Sequence, residues 1–195
     1  MNLKRKSVLI IAGSPRKGGN SDLLCDEFMH GAIGAGNAAE KIYLQEKTVG
    51  GCLACYGCRE TRKCVQKDDM AEILKKIKRA DVIVLATPVY FYAMSGQMKT
   101  MIDRTLPCYR EIIDKEFYFI VTAADKKASM ERAMDGLYGL TDCLPGAKVM
   151  GAIYGEGVYE KGEVTSTRAM KDAYEMGKRV AGAVEEERVH EQLYF

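Results

Sequence analysis

Three short apolar runs constrain this chain more than anything else in it: Ser7-Val-Leu-Ile-Ile-Ala12, Val82-Ile-Val-Leu-Ala86 and Phe117-Tyr-Phe-Ile-Val121. Each is too short for a buried helix and lacks polar alternation, which is the pattern of a parallel strand covered on both faces. Two weaker strands join them. Ala39 to Leu44 alternates, with Ile42 and Leu44 on one side and Tyr43 on the other, and Lys148 to Tyr154 closes the set.

Between the strands, apolar residues recur at helical spacing. Leu24, Phe28 and Ala32 form one stripe, stopped by Gly34-Ala-Gly-Asn37. Asp69, followed three residues later by Glu72, predicts a capping box for a helix striped by Met70, Ile73, Leu74 and Ile77. Further helices run through Met98, Met101 and Ile102, up to about Cys143, and along a stripe from Ala169 to Val184. The apolar tail Glu191 to Phe195 either packs on a partner subunit or frays. Five strands alternating with five helices predict an α/β three-layer sandwich. Its five-stranded parallel sheet takes the flavodoxin-like order 2-1-3-4-5, with helices on both faces. One domain over residues 1–195 holds all of this, with one irregular stretch at about 45–67.

In that order ligands bind beyond strands 1 and 3, where the winding reverses. After strand 1 comes Gly13-Ser-Pro-Arg-Lys-Gly-Gly-Asn-Ser21, a small-residue turn opening a helix. Backbone N–H groups and the helix dipole point into such a turn, Arg16 adds charge, and Ser14, Asn20 and Ser21 add hydrogen-bonding side chains. It reads as a phosphate cradle, against the alternative of an ordinary Gly/Ser turn. Gly19 and Asn20 stand where a Walker loop has Lys and Ser/Thr, and Pro15 breaks Gly-x-Gly-x-x-Gly. A metal-free monophosphate fits best, and flavin mononucleotide (FMN) is such a ligand. After strand 3, Pro88, Val89, Tyr90, Phe91 and Tyr92 supply apolar and aromatic faces for a flat ring, or else an edge seal or dimer contact. Thr122 to Asp125, after strand 4, should reach the same place.

Seven cysteines occur, four of them as Cys52-x2-Cys55-x2-Cys58-x5-Cys64. Three readings stay open: a [4Fe–4S] cluster on the four thiolates, a loop of unligated cysteines, or zinc. Arg59, Arg62 and Lys63 would offset cluster charge or lower a thiol pKa. Cys25, Cys108 and Cys143 are expected to be small buried hydrophobes.

Net charge of +2 with 29% charged residues gives no basis for nucleic-acid or membrane partners. The basic amino terminus precedes no cleavage site, and no run approaches the roughly 18 apolar residues of a membrane span. A cytoplasmic protein is expected.

Together, the Gly13–Ser21 loop, the cysteine loop ending in Asp68-Asp-Met70, and Thr87-Pro-Val-Tyr-Phe91 with Met94-Ser-Gly-Gln-Met-Lys99 resemble the NADPH-dependent FMN reductase family. They are most similar to its iron–sulfur flavoprotein branch. The resemblance implies a flavodoxin-like fold, FMN, and assembly as a homodimer or homotetramer. It implies that Ser14, Arg16, Asn20 and Ser21 hold the phosphate and that Pro88 to Phe91 line the isoalloxazine; Gly19, in the same loop, and Thr122, at the end of strand 4, are further cofactor-binding candidates by position. Relatives with similar cysteine loops include members without a cluster, so the three cysteine readings stay open.

The expected function is an FMN-dependent oxidoreductase that takes electrons from NADH or NADPH and passes them to a small-molecule acceptor such as a flavin or quinone. With a cluster, ferredoxin becomes a donor. The alternative is a flavodoxin-like electron carrier with no substrate of its own. No side chain is required as acid or base: His30 and His190 lie on predicted helices away from the loops, and Tyr90 at most hydrogen-bonds near the ring.

Overall fold

The computed structural model describes residues 5–180. Among them, six strands and six α-helices run in this order: β1 (Ser7–Ala12), α1 (Asn20–Gly34), β2 (Ala38–Tyr43), α2 (Cys58–Thr61), α3 (Met70–Arg79), β3 (Val82–Tyr90), β4 (Ala93–Met94), α4 (Gly96–Asp103), β5 (Glu116–Thr122), α5 (Glu131–Asp142), β6 (Lys148–Gly155) and α6 (Arg168–Lys178). Strands β2-β1-β3-β5-β6 form one parallel sheet in the predicted order. The winding reverses between β1 and β3, whose ends are in register at Ala12 and Ala86. Pro88 of β3 in turn pairs with Thr122 of β5, so the ends of three strands share one edge.

Each run of apolar strand residues feeds two cores, because successive side chains point to opposite faces. Leu9, Leu85 and Phe119 pack with Ile73 of α3, Met98 of α4 and Leu137 of α5. Ile10, Val84 and Ile120 pack on the other face with Phe28 of α1 and Ala173 of α6. Burial of each large side chain contributes about 1.5–3 kcal/mol. Helices α1 and α6 touch backbone to backbone: a Cβ on Gly31 would stand 2.1 Å from the Tyr174 carbonyl oxygen, and one on Gly177 2.1 Å from that of Phe28. Only glycine allows that approach.

The structure differs from the sequence expectations in four places. A sixth strand exists because β3 runs on to Tyr90 and folds back as β4, with Val89 opposite Met94 and Tyr90 opposite Ala93. The two-residue turn is Phe91-Tyr92, at φ 49° and 62°. This is the positive-φ hairpin geometry usually taken by Asn-Gly, so an aromatic pair gave no signal for it. The Asp69–Glu72 capping box does not form. Asp69 instead accepts from Thr48 N at 2.7 Å, and Asp68 accepts from Met70 N at 3.2 Å. Helix α1 opens at Asn20, inside the loop motif, whereas the helical pattern of the sequence begins near Asp22. Cys25 and Cys108 are buried as expected, but Cys143 is exposed, at the end of α5. His30 is exposed on α1. The predicted stripe positions Ala181 and Val184, His190 and the tail 191–195 lie outside the described residues. Among those described, no helix is long and apolar enough to cross a membrane.

Candidate functional site

At the sheet edge where β1, β3 and β5 end, a cavity of about 150 Å³ opens between the loops. The β1 loop is locked from several sides. Gly13 N donates to Ala86 O at 2.8 Å, and Gly13 O accepts from Ser95 Oγ at 2.6 Å. Ser95 is the N-cap of α4, accepting from Met98 N, and its own N–H donates to Thr87 Oγ1 at 2.9 Å. The buried Thr87 and Ser95 therefore tie the β1 loop to the end of β3.

Within the loop, Ser14 Oγ accepts from Arg16 N at 3.1 Å, and Gly19 N donates to Arg16 O at 3.0 Å. Gly18 turns at φ 67° and donates to Asp22 Oδ2 at 2.6 Å. Asp22, at 2% exposure, is neutralised by Lys41 of β2 at 2.7 Å, which also reaches Asp26. Burial alone would lower the Lys41 pKa; the hydrogen bonds to Asp22 and Asp26 outweigh it, and the ammonium is held charged well above its ordinary range. Gly19 is the N-cap of α1, and among the described residues no side chain caps that helix. Its first-turn N–H groups thus stand without a side-chain partner at the positive end of the dipole.

Ser14, Arg16, Gly19, Asn20 and Ser21 all line the cavity, together with Pro88, Val89, Tyr90 and Thr122. The structure brings nine of the ten expected residues together. Phe91 is the tenth: it stands fully exposed at the hairpin tip, because the positive-φ turn swings it away from the cavity. Asn20 lines the cavity with its amide already engaged, donating to Glu160 O at 2.8 Å and accepting from Gly162 N and Val164 N. Arg16 Nη1 donates to Tyr159 O at 3.2 Å. The loop after β6 is the part that sequence reasoning missed. Val158, Tyr159 and Lys161 line the cavity, as do Ala123 and Ala124 after β5. A lysine in the Gly-rich stretch 155–162 was the available signal.

The cysteine loop lies elsewhere on the surface. Cys52, Cys55, Cys58 and Cys64 border one small apolar cavity of about 20 Å³. Among the described residues, however, no group of three or more His, Cys, Asp or Glu side chains is drawn together to hold a metal ion. The expected ligand set shares a lining without forming a coordination shell. The chain wraps there through positive φ at Ala54, Tyr56 and Arg62. Arg104, 1% exposed, fastens the loop: it donates to Gly50 O at 2.7 Å and bidentately to Asp68 at 2.7 and 2.9 Å. Its Nε is buried without a hydrogen-bond partner among the described residues, and Arg104 also lines the same cavity. The hydrogen bond from Arg104 holds the Asp68 carboxyl below its ordinary range, against the opposing effect of burial.

The sequence profile of the NADPH-dependent FMN reductase family matches residues 7–154, which carry the β1 loop, the cysteine loop and the β3 hairpin. The chain belongs to that family. Among its relatives, an iron–sulfur flavoprotein of Methanocaldococcus jannaschii is 44% identical over 100 residues, covering 51% of this chain and 52% of that protein. An iron–sulfur flavoprotein of Archaeoglobus fulgidus is 39% identical over 97 residues, covering 50% of this chain and 44% of that protein. The match thus spans about half the length of these curated relatives. The fold is that of an FMN-dependent NADH-azoreductase from Bacillus anthracis solved with FMN: TM-score 0.72 at 18% identity, covering 91% of this chain and all of that one.

Proposed function

We propose that the chain binds FMN at the sheet-edge cavity and works as an NAD(P)H-dependent oxidoreductase that passes electrons to a small acceptor. One observation carries the reading: the uncapped start of α1 opens into a cavity also lined by Arg16, Ser14 and Ser21. That is the donor set for a phosphate monoester. The enclosed volume of about 150 Å³ lies below the roughly 300–1,000 Å³ of whole-ligand pockets, so it suits the polar end of a ligand. Pro88, Val89, half-exposed Tyr90 and Thr122 form its rim, where a flat ring finds apolar and backbone contacts.

When bound, FMN supplies the two-electron and one-electron chemistry. This chain's residues position it. Gly13, locked to Ala86 and Ser95, fixes the loop, and Asp22 with Lys41 holds Gly18 in its turn. No side chain lining the cavity is needed as a general acid or base.

For the cysteine loop we propose a [4Fe–4S] cluster on Cys52, Cys55, Cys58 and Cys64, with ferredoxin as a donor. The donor chemistry fits: four cysteines line one cavity together with the buried Arg104, whose Nε lacks a partner among the described residues. A thiolate cluster would offer an acceptor to that Nε–H, the guanidinium charge itself being paired with Asp68. The relatives' names as iron–sulfur flavoproteins point the same way.

Anaerobic stopped-flow mixing of the FMN-loaded protein with NADH or NADPH tests the activity. Bleaching of the flavin band with either is expected. No bleaching with both overturns the reductase and leaves the electron carrier. Iron and sulfide assays on anaerobically purified protein test the cluster separately.

A further inference from the structure

We propose that the cavity between the cysteine loop and residues 106–110 is a second binding site, for a planar aromatic anion. At about 430 Å³ it is the size of a small-ligand pocket and shares no lining residue with the sheet-edge cavity. Three arginines line it: Arg59, Arg62 and Arg110. Glu111 is the carboxylate that meets this group, and it is divided between Arg62 at 3.5 Å and Lys78 at 3.3 Å. Arg59 and Arg110 have no carboxylate partner among the described residues. Such a cluster repels cations and selects an anion, and guanidinium forks suit carboxylate and phosphate oxygens.

The ring preference comes from the rest of the wall. Arg59 lies 5.5 Å over the Tyr56 ring. Arg110 lies 5.6 Å over Tyr109 and donates from Nε to its hydroxyl at 3.0 Å. Two guanidinium–tyrosine pairs therefore line one cavity with Pro107, and Tyr56 keeps its place at a left-handed φ of 57°. Paired aromatic and guanidinium faces accept a flat ring, while the free N–H groups take its charged substituent. Tyr56, Cys58 and Pro107 also border the cysteine cavity, so a bound ring would lie against the cysteine loop. That adjacency makes this the place for a small electron donor or acceptor, a role that rests on the proposed function; the binding itself does not.

The test is calorimetric titration of the FMN-saturated full-length protein with four probes: adenosine 5′-monophosphate, 2-naphthoate, adenosine and inorganic phosphate. The first pair joins ring and charge as phosphate or carboxylate; the second pair separates them. One or both of the first pair should bind at least about tenfold tighter than adenosine and phosphate. The variant Arg59→Ala/Arg110→Ala should lose that binding by about tenfold or more, with FMN content and melting temperature unchanged. Glu111→Gln frees Arg62 and should tighten it severalfold, a gain that misfolding cannot produce. Absent or charge-independent binding, an unaffected double variant, or weakening by Glu111→Gln would overturn the proposal. So would a double variant that turns a wild-type oligomer into monomers, which would assign the face to a contact between copies.

Discussion

Asn20 Nδ2 donates to the Glu160 carbonyl at 2.8 Å, joining two loops 140 residues apart in the chain. Its Oδ1 accepts from Gly162 N at 3.1 Å and Val164 N at 3.2 Å, so the side chain acts as a peptide-like bridge. Asn20→Ala leaves these backbone groups, the buried Val164 N–H among them, without their partner and should cost about 1–3 kcal/mol in urea denaturation. Asn20→Asp keeps the acceptor and should recover part of the loss. Full stability in Asn20→Ala would show that the bridge is dispensable.

The Asp68–Arg104 clamp should make stability depend on acid. Asp68 titrates below its ordinary value in the folded protein, so in acid the unfolded chain binds more protons. The clamp's contribution is complete at neutral pH and is lost as pH falls through the lowered folded pKa. Asp68→Asn leaves the Arg104 charge buried and should cost about 3 kcal/mol at pH 7. The stability gap between wild type and variant should narrow as pH drops from 7 to about 3. A gap independent of pH would contradict this.

The backbone contact of α1 with α6 predicts severe loss from a single methyl group. Gly31→Ala or Gly177→Ala places a Cβ against a carbonyl oxygen that belongs to a helix and cannot move alone. Overpacking of this kind costs about 1–3 kcal/mol or more, whereas Gly36→Ser, with open space around it and φ 90°, isolates the cost of backbone strain alone. Thermal melts of the three variants separate the two effects.

Most of the sheet was legible because runs such as Val82 to Ala86 have no polar residue to place on a wet face. The β1 loop was legible because strand, small residues and helix follow in order. Two parts of the site were hidden. Lys161 and Tyr159 reach the cavity from a loop with no period and no motif, brought there by the position of β6 at the sheet edge, by the Asn20 bridge and by the Arg16 bond to the Tyr159 carbonyl. Phe91 looked like a cavity residue because it follows Tyr90, but a hairpin turn with two positive φ values reverses the chain at that point. The Asp69–Glu72 spacing was also misleading, since Asp69 found a backbone partner at Thr48 that lies 21 residues away.

Phosphate recognition by the β1 loop and the start of α1 is what the FMN assignment depends on. Fluorescence titration of the flavin-free full-length protein with FMN and with riboflavin tests it most directly, because the two differ only by that phosphate. FMN should bind at least about a hundredfold tighter, and Arg16→Ala should erase about tenfold or more of the difference. Equal affinities for FMN and riboflavin would contradict the assignment of this cavity.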